Sequence, residues 1–272
     1  MKIRQWGKAI LSQLPWVDAY FRRVIWSRLR FPEAEMSLLH ELTGRPFDVA
    51  VDVGAAMGGY AWILNRKSRR VFAFEPGKVH ADFLSLAMPG TRIELVRSAV
   101  GSSEENVIMF TPGSDTNALH SATLSIENPV TQTAATTKAE VQQITLDNFL
   151  AANLKPGESF DFLKVDVEGY EQAVFEGAMD QIQKYHPLIF CEIEKRHNAN
   201  FARTFRLLRD AGYVSYIYLK GEIQRFDGDD IGHFQKEADL RYRLSPDYQS
   251  QNGQYVNNFI FEHSKSKVRI SQ

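Results

Sequence analysis

Three short stretches of this 272-residue chain bring together residue types at spacings that chemistry needs. The first is Asp52-Val53-Gly54-Ala55-Ala56-Met57-Gly58-Gly59. Its glycines let the chain turn sharply and let a ligand approach the backbone, where a side chain would collide. By spacing alone it is a loose Gly-x-x-x-Gly. It lacks the third glycine of a dinucleotide fingerprint, and no Gly-Lys-Ser/Thr phosphate loop occurs in the chain. The second stretch is Phe72-Ala73-Phe74-Glu75-Pro76, whose Glu75 lies 21 residues beyond Gly54. That position suits a carboxylate accepting hydrogen bonds from both hydroxyls of a ribose. Taken alone, Glu75 reads as a solvated acid at a strand end; coupled to the glycine turn, the ribose reading is favoured. The third is Lys164-Val165-Asp166-Val167-Glu168-Gly169, in which two carboxylates leave an apolar run and enter a turn. Carboxylates are costly to desolvate without partners, so such a pair at the end of a buried strand points to use. A structural role stays open for each, above all for Glu168 as an acid at the start of the next helix.

These stretches need elements that deliver them to one place. Phe47-Asp48-Val49-Ala50-Val51-Asp52-Val53 is apolar and β-branched on nearly every position, as expected of a strand buried on both faces, and runs straight into Gly54. The pattern then alternates, with helices expected at 59–66, 79–87, 145–150, 170–175 and 201–209. Strands are expected at 71–75, 92–96, 160–166, 188–193, 214–219 and 258–262. Strand–helix alternation implies an α/β fold with a mostly parallel sheet, whose ligands bind outside the carboxyl ends of the strands, where all three stretches fall. Segments 107–110 and 141–144 read as a local excursion, separated by a Thr-, Ser-, Ala- and Asn-rich stretch over 111–138 that suits a lid or substrate loop. The polar tail 264–272 is expected to be flexible.

Composition narrows the class. Hydrophobic residues make up 44% and charged residues 24%, which excludes collagen, coiled coil and wholesale disorder. One cysteine, Cys191, excludes an internal disulfide framework and a cysteine-cluster zinc site. The net charge of −1 conceals an asymmetry: residues 1–30 hold seven Lys and Arg against Asp18 alone, a net +6, which leaves −7 on the rest. Residues 1–46 therefore form a basic helical arm on an acidic body that spans 47–263. In the arm, Trp16, Val17, Tyr20, Phe21, Val24, Ile25 and Leu29 recur at helical spacing. Packing on the core or on a second subunit is the expectation, with an anionic membrane surface as the alternative. The chain shows neither a secretory signal nor a run of about 18 apolar residues, so a cytoplasmic enzyme is expected, at most at the inner face of a membrane.

Five motifs in order, Val51-Asp52-Val53-Gly54-Ala55-Ala56-Met57-Gly58-Gly59-Tyr60, Phe74-Glu75-Pro76, Ser98-Ala99-Val100-Gly101, Thr145-Leu146-Asp147 and Lys164-Val165-Asp166-Val167-Glu168-Gly169-Tyr170-Glu171, resemble the FkbM-type S-adenosylmethionine-dependent methyltransferases. The resemblance extends over about 47–262 and includes Asn257-Asn258-Phe259-Ile260-Phe261, similar to that family's closing strand. It implies a class I, Rossmann-like, doubly wound sheet of about seven mostly parallel strands, the last antiparallel, and O-methylation of a hydroxyl on a sugar, glycan or natural product. It also implies that Asp52, Gly54, Ala55 and Gly58 form the cofactor turn, and that Glu75 holds the ribose. Ser98, Ala99 and Val100 would lie near the adenine, and Asp166 near the methionine amino group or the reacting methyl. Where Ala56-Met57-Gly58 stands, the family more often has an Asn-containing turn.

Methylation of a hydroxyl needs a proton acceptor. Asp166, Glu168, Glu192 and His120 are the leading candidates, with Glu194 and His197 beside them. No resident metal is expected, although Asp166, Glu168 and Glu192 would suit magnesium. The seven histidines show no His-x-x-x-His pair. A small-molecule or glycan acceptor is expected as partner. Nucleic acid is not, because no Asn-Pro-Pro-Tyr or Asp-Pro-Pro-Tyr follows the third stretch and the body is acidic. The rival reading is a catalytically idle protein of the same fold acting as a binding scaffold.

Overall fold

The computed structural model describes residues 38–39, 46–111, 123–124, 137–198, 200–219, 221–227, 231–235 and 255–270. Nearly all of the arm, and with it the membrane-or-partner question, lies outside them. Twelve strands and six helices are described: β1 (Phe47–Val53), α1 (Gly59–Lys67), β2 (Ser68–Phe74), α2 (Lys78–Ala87), β3 (Ile93–Val96), β4 (Ala99–Val100), β5 (Glu105–Thr111), β6 (Thr123–Leu124), β7 (Thr137–Ile144), α3 (Leu146–Asn153), β8 (Phe160–Val165), α4 (Glu171–Glu176), α5 (Met179–Tyr185), β9 (Leu188–Glu192), α6 (Phe201–Asp210), β10 (Tyr213–Leu219), β11 (Glu222–Phe226) and β12 (Asn258–His263).

The main sheet has the order β11-β10-β12-β9-β8-β1-β2-β3. Strands β3, β2, β1, β8 and β9 run parallel, and β12 inserts antiparallel between β9 and β10. The expected seven strands become eight, because β11 folds back on β10 as an antiparallel edge. Its five residues are mostly exposed, and an edge strand with one wet face carries little apolar signal to announce it.

Both faces of the sheet are covered, which is why β1 and β8 read as apolar runs. Val49, Val51, Leu163 and Val165 pack with Leu146 and Leu150 of α3, Val174 and Phe175 of α4, Ile182 of α5 and Phe205 of α6. Ala50 and Phe162 point the other way, among Leu38, Leu39, Tyr60, Ile63 and Leu64. Alternation along a strand therefore assigns each residue to a helix layer. Lys164, two residues after Phe162, falls on the α1 side, and so does Asp52, two after Ala50.

The excursion between β3 and α3 is a small second sheet, ordered β4-β7-β5-β6. Part of the polar stretch is thus regular, since Leu124 pairs with Met109. The tail departs from expectation over 264–270: the Ile270 N–H donates to Glu262, Arg269 pairs with the same carboxylate, and Val268 is buried. A buried strand acid anchors it, a contact that polar composition does not reveal.

Candidate cofactor and acceptor site

The glycine turn is built by close backbone approach. Gly54 adopts φ +80°, and a Cβ there would lie 1.8 Å from the Asp166 carbonyl oxygen, so β1 and β8 come together at their carboxyl ends only if residue 54 has no side chain. The N–H groups of Gly54 and Ala55 both donate to the Phe74 carbonyl at 3.0 Å. Gly58, at φ +84°, starts α1. Ala56 between them is also left-handed, at φ +46°.

Glu75 follows β2, and its carboxylate reaches across to this turn. One oxygen accepts the Ala56 N–H at 2.8 Å and the other the Gly77 N–H at 2.7 Å. Both oxygens keep lone pairs for further donors. Burial pushes Glu75 up to about 7 against those two hydrogen bonds, with Asp166 adding to the rise. Burial likewise pushes Asp52 up to about 7, against the pull of Lys164 and with Asp166 again adding. One Asp52 oxygen takes the Ala61 N–H; the other is buried with no hydrogen-bond partner.

Beneath this turn sits Lys164, fully buried and paired in register with Asp52. Its Nζ lies 3.5 Å from Asp166 Oδ2, 3.4 Å from Asn258 Oδ1 and 4.7 Å from the centre of the Tyr60 ring. Asp52 and Asp166 thus share one buried cation, with the Glu75 carboxylate crowded beside them. Lys164 is a site residue that motif spacing does not point to. Its signal is a lysine within a mostly apolar strand buried at every position, which is rarely tolerated unless paired.

Ser98, Ala99 and Val100 lie just past β3 on the same sheet edge and are buried. The Glu75 N–H donates to Val96 in that neighbouring strand end, so both motifs belong to one rim. Ala99 and Val100 also pair with β7, which gives them a structural duty in the second sheet. Asp147 of the Thr145-Leu146-Asp147 motif is structural: Thr145 caps α3, and Asp147 accepts the N–H groups of Asp180 and Gln181 at the start of α5.

On the other side of Asp166 the loops after β8 and β9 form a pocket lined by Asp166, Glu168, Gly169, Glu171, Glu192, Glu194 and His197. Four of the base candidates named on β8 and β9 therefore meet there, together with His197; His120 lies outside the described residues. His197 Nε2 is 2.8 Å from Glu168 Oε2 and 3.5 Å from Glu194 Oε2, close ion-pair contacts that are not aligned hydrogen bonds. The Glu168 contact raises the imidazole above its ordinary value, against partial burial and Arg196, with Glu194 adding. Arg196 also pairs with Glu194.

Two supports of this pocket were absent from the site assignments. Glu171, 1% exposed, accepts the Gly169 N–H at 2.6 Å and the Asn198 side-chain amide at 3.0 Å. Asn257, beside β12, donates to both Glu192 and Glu194. Each is a polar group buried with its partners satisfied, and each partner is remote in sequence.

A mostly parallel sheet with antiparallel β12 slotted between β9 and β10, and a glycine turn at the end of the central strand, defines the class I methyltransferase fold. The chain matches the Methyltransferase FkbM domain over residues 52–215, more than half its length, and belongs to that family. Similar solved structures include methyltransferase FkbM from Methylobacillus flagellatus KT, at 14% identity and TM-score 0.46, covering 94% of this chain and 60% of that one. Others are an rRNA methylase from Streptococcus thermophilus, at 10% identity and TM-score 0.44 over 87% of this chain and 98% of that one, and SMU.1697c from Streptococcus mutans in complex with SAH, at 9% identity and TM-score 0.43 over 86% and 98%. This chain spans 60% of the length of the Methylobacillus protein. No curated protein matches it. Among the described residues, no helix is long and apolar enough to cross a membrane.

Proposed function

We propose that this methyltransferase-family chain binds S-adenosylmethionine at the glycine turn and directs its methyl group to a hydroxyl of a sugar, glycan or natural-product acceptor seated in the adjoining pocket. The observation that carries the reading is the crowding of Asp52, Glu75 and Asp166 at the glycine turn, with one Asp52 oxygen buried and unpartnered. One lysine among three carboxylates leaves the site short of positive charge, and a ligand bearing a sulfonium and an ammonium group supplies it. The residues therefore fit the cofactor by charge.

When bound, S-adenosylmethionine supplies a methyl group on positively charged sulfur, which leaves as a neutral thioether. Gly54, Ala55 and Gly58 form the turn on which the cofactor would lie. Glu75, pinned by Ala56 and Gly77, is held ready to accept ribose hydroxyls, and Ser98, Ala99 and Val100 close the same rim. Asp166, steadied by Lys164, stands between this half and the pocket. The pocket groups Glu168, Glu192, Glu194 and His197 orient an acceptor hydroxyl and receive its proton.

Calorimetric titration with S-adenosylhomocysteine tests the cofactor half. The wild type should bind, and Glu75→Ala should weaken binding about 100-fold, since two hydrogen bonds to a charged group are at stake. Labelled methyl transfer to a panel of sugars and glycans, with the methylated atom located by NMR, tests the acceptor half. A folded wild-type chain that binds no S-adenosylhomocysteine would sink the reading in favour of a scaffold of this fold.

A further inference from the structure

We propose that His197, held against Glu168, is the general base that takes the proton of the acceptor hydroxyl, and that buried Glu171 positions this pair. The inference rests on the methyl-transfer reading above and deepens it at one atom.

The geometry of two loops points to it. Glu168 is one of three non-glycine residues at positive φ among those described, and Gly169 follows it at φ +95°. A Cβ on residue 169 would come within 2.5 Å of the His197 carbonyl oxygen, so the loop after β8 is pressed directly against the loop after β9. Left-handed backbone at a residue with a side chain persists where its surroundings impose it, and such sites concentrate where function does. The outcome of this contortion is specific: it turns the Glu168 carboxylate toward the imidazole, 2.8 Å from Nε2. Glu171 fastens both loops at once, taking the Gly169 N–H on one oxygen and the Asn198 amide on the other. The residue after each member of the pair is thus tied to one buried carboxylate.

The ring also borders the pocket. Nε2 is enclosed 2.8 Å from Glu168, and the side chain is 25% exposed where it lines the pocket. A base held beside a carboxylate at the edge of a pocket suits proton abstraction. The groups facing it are Glu168 from the loop after β8 and Glu194 and Arg196 from the loop after β9, with Asp166, Glu171 and Glu192 around the pocket. In the step, the acceptor oxygen forms its bond to the methyl carbon while its proton passes to the His197 imidazole. The carbon–sulfur bond breaks with its electron pair left on sulfur. The imidazolium formed is balanced by Glu168.

The experiment is an NMR titration of the His197 ring in the full chain without cofactor, in wild type and Glu168→Gln, with His197→Gln used for assignment. The wild-type ring should titrate above an ordinary histidine, and Glu168→Gln should lower its midpoint by about one pH unit. Glu171→Gln should shift it in the same direction by less. With an acceptor from the sugar panel, the acid limb of the kcat/KM profile should follow the ring midpoint from wild type to Glu168→Gln. His197→Gln should bind S-adenosylhomocysteine within about twofold of wild type yet lose at least about 100-fold in kcat. A ring midpoint indifferent to Glu168→Gln, or turnover by His197→Gln within about threefold of wild type, overturns the inference while the cofactor reading stands. Absence of S-adenosylhomocysteine binding by the folded wild type overturns both.

Discussion

The two halves of the site are built on opposite principles. The proposed cofactor half is a backbone turn whose parts are close in sequence: Asp52 to Gly58 is one loop, and Glu75 reaches back to Ala56 of that loop. The proposed acceptor half is made of side chains from three separate strand ends, Glu168 after β8, His197 after β9 and Asn257 before β12. Both halves bring backbones into close contact, at Gly54 and at Gly169, but only the second gathers its side chains from remote elements. Asp166 is their common boundary, because its carbonyl presses on Gly54 while its carboxylate faces Lys164 and lines the pocket.

Substitutions that strike one half alone sharpen this contrast. The largest effect is expected from Gly54→Ala, whose added methyl would meet the Asp166 carbonyl. It should cost about 3 kcal/mol or more of stability and abolish cofactor binding, read as a fall in thermal midpoint together with lost calorimetric heat. Because it displaces Asp166, it should disturb both halves; a stable Gly54→Ala chain that still binds would break the account of the turn.

Next comes the charge of Glu75. If ribose recognition needs the carboxylate, Glu75→Gln should weaken S-adenosylhomocysteine binding about 10- to 100-fold and leave the His197 ring titration unmoved. With Glu75 at about 7 in the free chain, protonation competes with the ligand as pH falls. Wild-type affinity should therefore drop up to about tenfold per unit below pH 7 and level off above it.

Asp52 gives a smaller effect of opposite sign. Its folded value of about 7 exceeds the ordinary 3.8, so between these limits the folded chain keeps a proton that the unfolded chain has released. Stability contributed by that proton is present below about pH 4 and lost as pH rises to about 7. Asp52→Asn should then raise stability at pH 8 by about 2 kcal/mol, less than the full shift implies because Lys164 loses a partner, and should change little at pH 4. Denaturant melts at the two pH values decide it, and an equal effect at both would refute the assignment.

The smallest expected effect is Glu171→Gln, about 1 kcal/mol in stability with S-adenosylhomocysteine affinity within about twofold of wild type. A large loss of cofactor binding there would show that the halves are not separable.

The chain by itself determined the parallel core and the glycine turn with Glu75 beside it. Strands buried on both faces are apolar runs, glycine is required where two backbones meet, and a carboxylate one strand away follows at a readable interval, so local sequence carries that information. Antiparallel β12 and the β8 carboxylates were legible through the resemblance of ordered motifs. Only the tertiary structure decided that β11 adds an eighth strand, that Arg269 and Ile270 dock the tail on Glu262, that Lys164 balances Asp52 and Asp166, and that Glu168 meets His197 under the hold of Glu171. Those are contacts between partners brought together by the stacking of strands in an order the chain does not follow, and a polar residue carries no mark of which distant group will satisfy it.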